Sequence, residues 1–590
     1  MTNLKEPTRV FDFLTQYFIP NNFDDAFCNK INGEWVKHSA KEIVEKIDLM
    51  SHGLYALGIR KDDKVAIIST SRPEWNITDF GIQQLGAISV PMYPTITVED
   101  YRYIFNDAGV KIVFVSDQKL YDKVIDSIST LSVKPTVYSF DQLKGIANFQ
   151  EVLQLGKSGD QAKLEEMKAA VNPDDLLTLI YTSGTTGFPK GVMLSHSNIV
   201  SNVMACVEYF VVEGKDKVLS FLPLCHIYER AAIYIYIRMG ARIYYAESME
   251  TIADNIREVK PAMFTTVPRL LEKVYDKIVA KGYELTGLKK TLFFWALNLG
   301  LRFDPTKEMG FFYDLQLKIA RKLIFVKWRE ALGGNLKVIT SGSAALQPRL
   351  SRIFWAAGIP VSEGYGLTET SPVISTSRVQ PIDFRVGCVG TVLSNVEVKI
   401  ADDGEILCKG PNVMKGYYNK PEATAEAIDS EGWFHTGDIG TLIEGKYLKI
   451  TDRKKEIFKT SGGKYVAPQQ IENKLKESIY IEQCMVVGEN QKFPSALIVP
   501  DFAALKEWCA THEIPYTNDT EIIKNQLVRV HFDKEVEQLM VEVAQWERVK
   551  KIALLPRLFT IDDGELTAKL SLKRKAITEK NKALIEALYL

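Results

Sequence analysis

"YTSGTTGFPKG", Tyr181 to Gly191, follows the apolar run "LLTLI" (Leu176 to Ile180) and leads into "VMLS", with "SHSNIV" opening a helical pattern only later. The order is strand, loop, strand, helix. Within the loop, Thr182, Ser183, Thr185 and Thr186 offer hydroxyls, Gly184, Gly187 and Gly191 let backbone N–H groups approach closely, and Lys190 adds a point charge. Those groups suit a polyphosphate. The spacing is not G-x-x-x-x-G-K-[ST], because Lys190 follows Pro189 and precedes Gly191. A loop between two strands also holds its anion without a helix N-terminus. A hydrophilic hairpin with no ligand is the competing reading.

Working outward, "KVAIIS", "AISVPMY" and "KIVFVSD" are further Val/Ile-rich strand runs, and they alternate with helical patterns such as "AKEIVEKIDLMSHGLYALGI". That rhythm predicts an α/β fold with mostly parallel sheets. From Lys289 to Leu332 the pattern changes to large apolar residues three and four apart among Lys and Arg, which predicts an insert of two amphipathic helices. Such helices either pack into the core or present a basic, aromatic-rich surface to a membrane or an acyl chain. Beyond Thr451 and Asp452 the texture shifts to short strands ("CMVVGE", "SALIVPD") and helices with a charged middle ("DKEVEQLMVEVAQWERVKK"). The expectation is a large domain over 1–451, of mixed and parallel sheets with helices and the insert at 289–332. A smaller, mobile α+β domain over 452–590 follows.

At 590 residues, with 46% hydrophobic and 25% charged residues, the chain is long enough for two cores and shows no mark of disorder. Its 73 Lys+Arg against 74 Asp+Glu exclude a general affinity for nucleic acid. Seven scattered cysteines without a CxxC pair imply neither a disulfide framework nor a zinc site, so a reducing, cytoplasmic setting is expected. No stretch reaches the ~20 apolar residues of a spanning helix, so membrane contact is at most peripheral. The richest candidate, "AAIYIYIRMGARIYYA", is broken by Arg238 and Gly240 and reads as buried strands.

The loop resembles the signature of the adenylate-forming superfamily of acyl-CoA synthetases, luciferases and peptide-synthetase adenylation domains. Five further motifs occur in the right order: "LPLCHIYER" (Leu222 to Arg230), "SGSAAL" (Ser341 to Leu346), "EGYGLTET" (Glu363 to Thr370), "GWFHTGDIG" (Gly432 to Gly440) and "DRKKEIFKTSGGKYVAPQQIE" (Asp452 to Glu472). The resemblance implies two steps. A carboxylate attacks the α-phosphorus of ATP to give an acyl-adenylate and pyrophosphate, and the thiol of coenzyme A then displaces AMP. Repelling anions must be held together and charge stabilised at phosphorus.

By that resemblance the loop residues clasp the β- and γ-phosphates, Thr368 donates to phosphate, and Glu369 is a Mg²⁺ ligand, a hard oxygen for a hard cation. Tyr365, between Gly364 and Gly366 and after Glu363, offers its ring to adenine, and Gly342, Ser343 and Ala344 leave room for the base. Asp438 and Arg453 hold the ribose hydroxyls. Lys455 is the hinge position, and Ser461, Gly462 and Gly463 line the pantetheine passage. His226 walls the acyl site, although a lone histidine there equally suits a satisfied core residue. His196 and His435 are read as structural.

One position departs from the family. Where long-chain members read "LTPTLKxKR", this chain reads "LTAKLSLKR" (Leu566 to Arg574), with Ser571 in place of the lysine that bridges carboxylate and phosphate. In an extended segment Lys569, Ser571 and Lys573 would share one face, so Lys569 is assigned the role, with Lys573 as the alternative. The helical insert resembles the long-chain fatty acyl-CoA synthetase branch, and burying ~14 methylenes at ~0.8 kcal/mol each would give on the order of 11 kcal/mol gross. The expected activity is therefore a long-chain fatty acid–CoA ligase. An adenylating enzyme that loads a carrier protein, or a fatty-acid uptake or binding factor that has lost adenylation, remain as alternatives.

Overall fold

Runs rich in β-branched residues form the strands of a seven-stranded sheet in the computed structural model, which describes residues 6–182, 188–380, 383–567 and 570–590. The chain divides into two compact units. The first holds 1–399, 407–435 and 443–448, and the second holds 400–406, 436–442 and 449–590.

In the first unit the sheet runs, edge to edge, Gly416–Tyr417, Lys190–Ser195, Leu176–Thr182, Ile88–Pro91, Lys64–Ile68, Val110–Val115 and Thr136–Ser139. The last five are mutually parallel, and both pairings of Lys190–Ser195 are antiparallel. Leu176–Thr182 and Lys190–Ser195 register Tyr181 opposite Gly191 and Thr182 opposite Lys190. The following helix begins at His196, capped by Ser195, so the signature loop does join two strands. A second sheet is parallel from Val361–Gly366 through Val338–Ser341, Met263–Thr266, Lys217–Ser220 and Arg242–Tyr245 to Phe27–Ile31. The helix Pro73–Gln84, with proline in its first turn, packs on the strands Ile88–Pro91, Lys64–Ile68 and Phe27–Ile31, and Ala40–Ala56, closed by a Ser39/Glu42 capping box, packs in turn on that helix.

The run "AAIYIYI" is a helix, not a strand. Ile227–Met239 is helical, and only Arg242–Tyr245 after it pairs in a sheet. Ile227 and every residue from Glu229 to Ile237 are buried, so no polar face marks a 3.6-residue period and the alternating Ile and Tyr imitate a strand. Gly240 ends the helix at φ 68°, and a Cβ there would strike Asn21 at 1.7 Å.

The insert forms a helix over Gly287–Leu301 and a second over Phe311–Ala320 that continues through a π-helical turn, Arg321–Phe325, into Val326–Ala331. Leu317, Ala320, Phe325 and Trp328 turn inward from the second helix, as amphipathic spacing predicts.

The second unit carries a three-stranded sheet, Ile481–Val487 antiparallel to Ser495–Pro500, which is parallel to Lys551–Leu554. Val466, Leu475, Ile498, Val528 and Phe532 fill its core. The helix expected across "DKEVEQLMVEVAQWERVKK" ends at Leu539, and the Arg548 guanidinium binds the carbonyls of Val541 and Val543 beyond it. Thr451 and Asp452 fall inside the strand Tyr447–Arg453. Around Leu570 and Ser571 the C-terminal segment is not extended either. Leu566 and Leu572 form an antiparallel bridge, Thr567 N–H donates to the Ser571 carbonyl, and Leu570 sits at φ 61°. The strand alternation that put Lys569, Ser571 and Lys573 on one face does not apply to such a reversal.

Candidate active site

Four motifs of the first unit meet in pairs around two tyrosines, Tyr417 and Tyr228. Lys190 leaves the signature loop with its ammonium 4.9 Å from the Tyr417 ring centroid, and the Tyr417 hydroxyl donates to Glu369 Oε1 at 3.0 Å. Burial first, and the Glu369 charge next, push the Tyr417 pKa well above its ordinary value, so the hydroxyl keeps its proton and remains a donor. At the loop's ends, Tyr181 O–H donates to Asp107 at 2.5 Å and Phe188 stacks on Tyr103 at 4.8 Å. Ser183, Gly184, Thr185, Thr186 and Gly187 lie outside the described residues.

Thr368–Thr370 is a single 3-10 turn fixed by its neighbours: Met414 N–H donates to the Glu369 carbonyl at 2.8 Å and the Asn412 amide to the Thr370 carbonyl at 3.1 Å. Thr368 is buried and Glu369 half-buried. Among the described residues no cluster of three or more His, Cys, Asp or Glu could cage a metal. A single anchored carboxylate is nonetheless what Mg²⁺ needs when substrate phosphates and water complete its shell. The residues fit the ion.

Tyr228 joins the motifs that carry His226 and Gly342. His226 caps its helix by accepting the Tyr228 N–H at Nδ1 (3.1 Å), which leaves the proton of a neutral ring on Nε2, and it meets Tyr93 edge to face at 6.3 Å. The Tyr228 hydroxyl donates to the Thr340 carbonyl at 2.9 Å, and a Cβ on Gly342 would come within 3.0 Å of its ring, a contact the ring would have to yield to admit. Ser343, at φ 67°, and Ala344 are exposed. On the strand Val361–Gly366, Gly364, Tyr365 and Gly366 are half-buried, whereas the Glu363 side chain turns inward and burial raises its pKa to about 8. Glu363 is thus a neutral interior acid at neutral pH.

Behind this surface lies a polar core that the motif reading passed over. Arg230 and Asp79 are both 0% exposed and paired at 2.5 Å; Arg230 also donates to Thr178 (2.8 Å), Ser89 (2.7 Å) and the Tyr234 hydroxyl (2.7 Å). Thr178 belongs to the strand that enters the signature loop, and Arg230 follows His226 by four positions. The network therefore ties the helix Ile227–Met239 to the strand Leu176–Thr182. Glu229, buried against the hydroxyls of Ser220 and Thr265, has its pKa raised to about 7 by burial. The clue in the sequence was the pair "ER" inside an apolar run, since a buried charge demands a partner. Tyr417, in "KGYYNK", carried no comparable clue.

In the second unit, Asp438 is buried on the strand Phe434–Ile443, and Arg453 Nε lies 3.4 Å from its Oδ1 with the Arg453 side chain 58% exposed. Lys455 is exposed in the turn after Arg453. Asp452 is fully buried, accepting from the N–H groups of Arg453 (2.6 Å) and Gln469 (3.1 Å), and burial raises its pKa to about 6. Ser461, Gly462 and Gly463 turn between the paired strands Phe458–Lys459 and Tyr465–Val466. Gly462 opens onto a cavity of about 560 Å³ walled by Lys464, Lys492, Lys550, Lys551, Phe493 and Trp546. Ser571 and Lys573 are exposed, and Lys569 lies outside the described residues.

Residues 21–418 match the model of the AMP-binding enzyme family, and residues 455–590 match that of the AMP-binding enzyme C-terminal domain. The chain is 33% identical over 567 residues to a long-chain-fatty-acid–CoA ligase of Mycobacterium bovis, covering 95% of this chain and 93% of that protein. It is 32% identical to long-chain-fatty-acid–CoA ligase 5 of Rattus norvegicus, over 94% of this chain and 84% of that one. Among solved structures, the adenylation domain of a carboxylate reductase from Mycobacterium chelonae superposes with a TM-score of 0.80 at 21% identity, over 100% of this chain and 92% of that chain.

Proposed function

The chain belongs to the AMP-binding enzyme family, and from that membership we propose that it is a long-chain fatty acid–CoA ligase, joining a fatty acid to coenzyme A through an acyl-adenylate. The observation that carries the reading is the likeness to long-chain ligases over 95% of the chain, which takes in the helical insert as well as the nucleotide motifs.

In the first step a fatty carboxylate oxygen attacks the α-phosphorus of ATP and pyrophosphate leaves. Lys190 and the loop hydroxyls bind the departing phosphates, and the Tyr417 hydrogen bond holds Glu369 in one orientation. Mg²⁺, when bound at Glu369, neutralises phosphate charge. Tyr365 and the Gly342–Ala344 turn receive the base, Asp438 and Arg453 the ribose. The lysine that bridges carboxylate and phosphate is assigned to Lys569. In the second step the CoA thiolate attacks the acyl carbon and AMP leaves. His226 and Tyr228 keep water from the acyl-adenylate.

The domain boundary is proposed at Thr451 and Asp452, with Lys455 as the pivot. Asp452 holds the first turn of the helix Pro468–Leu475 and so moves with it. Seven buried thiols suit a reducing compartment, and no helix among the described residues is long and apolar enough to cross a membrane.

Coenzyme A is favoured over a carrier protein by the cavity beside Gly462. Four lysines match the phosphates of an adenosine 3′,5′-bisphosphate, two aromatic rings match its base, and about 560 Å³ is of ligand size. A carrier protein presents phosphopantetheine without a nucleotide.

The test is pyrophosphate release across carboxylic acids of graded length, followed by thioester formation with CoA, 3′-dephospho-CoA and a phosphopantetheinyl carrier protein. A maximum on long-chain acids, with CoA preferred to both other acceptors, is expected. A maximum on short or aromatic acids would overturn the substrate assignment, and a preference for the carrier protein would overturn the acceptor.

A further inference from the structure

The second insert helix has apolar side chains on two faces, and only one of them is covered. Leu317 and Ala320 are buried, and the Tyr313 hydroxyl ties the same side to the Leu299 carbonyl at 2.7 Å. On the opposite side Phe311 and Phe312 are 76% and 77% exposed, Leu315 47%, Ile319 44% and Leu323 48%. At about 100° per residue, positions 311, 312, 315 and 319 fall within an arc of about 100°, and Leu323 extends it one turn further. The two phenylalanines meet edge to face at 5.7 Å and leave most of their surface to solvent.

Charge on this segment identifies what covers the face. Between Phe311 and Lys327 there are four cations, Lys318, Arg321, Lys322 and Lys327, against the single acid Asp314, in a chain whose net charge is −1. The Arg321 guanidinium is held by the Ala356 carbonyl at 2.7 Å, while Lys318, Lys322 and Lys327 are exposed. The same helical geometry sets Lys318 and Lys322 along one edge of the apolar stripe. A protein partner would have to desolvate those ammonium groups, and lysine is depleted at protein interfaces for that reason. A bilayer surface accepts both at once: the rings enter the acyl boundary and the lysine stems lift their charges to anionic headgroups.

We propose that the exposed face of Phe311–Phe325 is a docking surface for an anionic lipid bilayer, on which the protein lies without crossing it. Its purpose rests on the long-chain reading, since a long-chain fatty acid partitions into such a bilayer. The docking itself is tested without substrate, so its failure and the failure of that reading are separate results.

The experiment is flotation of the full chain with vesicles of phosphatidylcholine alone and of phosphatidylcholine with an equal part of phosphatidylglycerol. Binding to the anionic vesicles that weakens with salt is expected, with little binding to the neutral ones. Phe311→Ser with Phe312→Ser should lower binding about tenfold or more, and Lys318→Ala with Lys322→Ala about 25-fold at low salt. Both double variants should melt like the parent, because all four side chains are exposed. The proposal is overturned if the parent fails to float with anionic vesicles or if both variants float as the parent does. It is equally overturned if the parent is a dimer in solution that the phenylalanine variant dissociates while vesicle binding is unchanged, because a second copy would then cover the face.

Discussion

Two arginine–aspartate pairs carry motif residues of this chain, and they are built in opposite ways. Arg230 and Asp79 are fully buried, 2.5 Å apart, and share Tyr234, Thr178 and Ser89 as further partners. Arg453 and Asp438 touch through one 3.4 Å contact, with the arginine side chain 58% exposed and the carboxylate buried. In the first pair the recorded hydrogen bonds all run to other buried groups of the protein, so the pair holds elements together. In the second, the carboxylate is buried while its arginine partner is largely exposed to solvent. The same two residue types make a closed pair or an open one according to what else surrounds them.

The largest way to break that contrast is Arg230→Ala. It leaves Asp79 buried without its countercharge, a cost of about 3–5 kcal/mol, which is much of a domain's stability. Insoluble protein or a strongly lowered melting temperature is expected, and Arg230→Met combined with Asp79→Leu should recover most of the loss. A single variant that melts like the parent would mean the pair is not scaffold.

Next in size is a pH effect from Glu229, beside Arg230. Its carboxyl titrates at about 7 in the fold against an ordinary 4.5, so between those values it is protonated when folded and ionised when unfolded. Its stabilisation is full below pH 4.5 and is lost as pH rises through 7, on the order of 3 kcal/mol in all. Glu229→Gln keeps hydrogen-bonding capacity without titrating. Its melting temperature should change less than the parent's between about pH 5 and about pH 8, and equal pH dependence of the two would exclude the carboxyl as the source.

Asp438→Ala probes the other side of the contrast. Arg453 stays solvated, so thermal stability should move by no more than about 0.5 kcal/mol. The KM for ATP should rise about 10–100-fold through loss of charge-assisted bonds to the ribose. A large fall in melting temperature with unchanged KM would make Asp438 scaffold too.

The smallest effect is Tyr417→Phe, which keeps the ring under Lys190 and deletes only the donor to Glu369. Adenylation should slow about fivefold, with a higher Mg²⁺ concentration for half-maximal rate. An unchanged Mg²⁺ titration would show that the hydroxyl does not orient the carboxylate.

Much of this architecture is legible in the chain because its signals are local. Leu176–Thr182 and Val110–Val115 read as strands from their apolar and β-branched runs, and the helical pattern that starts only at the end of "VMLS" identified a strand-to-strand loop. Errors arose where local pattern and tertiary context disagree. Complete burial of Ile227–Met239 erased its helical period, and the φ of 61° at Leu570 turned an expected extended segment into a reversal. Within the site, Glu369, His226, Asp438 and Arg453 are picked out by motifs, while Tyr417 and Asp79 have no such mark, because their importance lies in what they touch.

The contiguous motifs alone carry the resemblance to the family and, through it, the two-step chemistry, because hydroxyls, glycines and a cation suited to a polyphosphate follow one another along the backbone. Only the folded chain brings Arg230 to Asp79 across 151 positions and Glu369 to Tyr417 across 48, and only it leaves one face of Phe311–Phe325 uncovered. Contacts of that kind depend on which surfaces are buried against which. Burial is a property of the whole packed molecule, and no stretch of sequence carries it by itself.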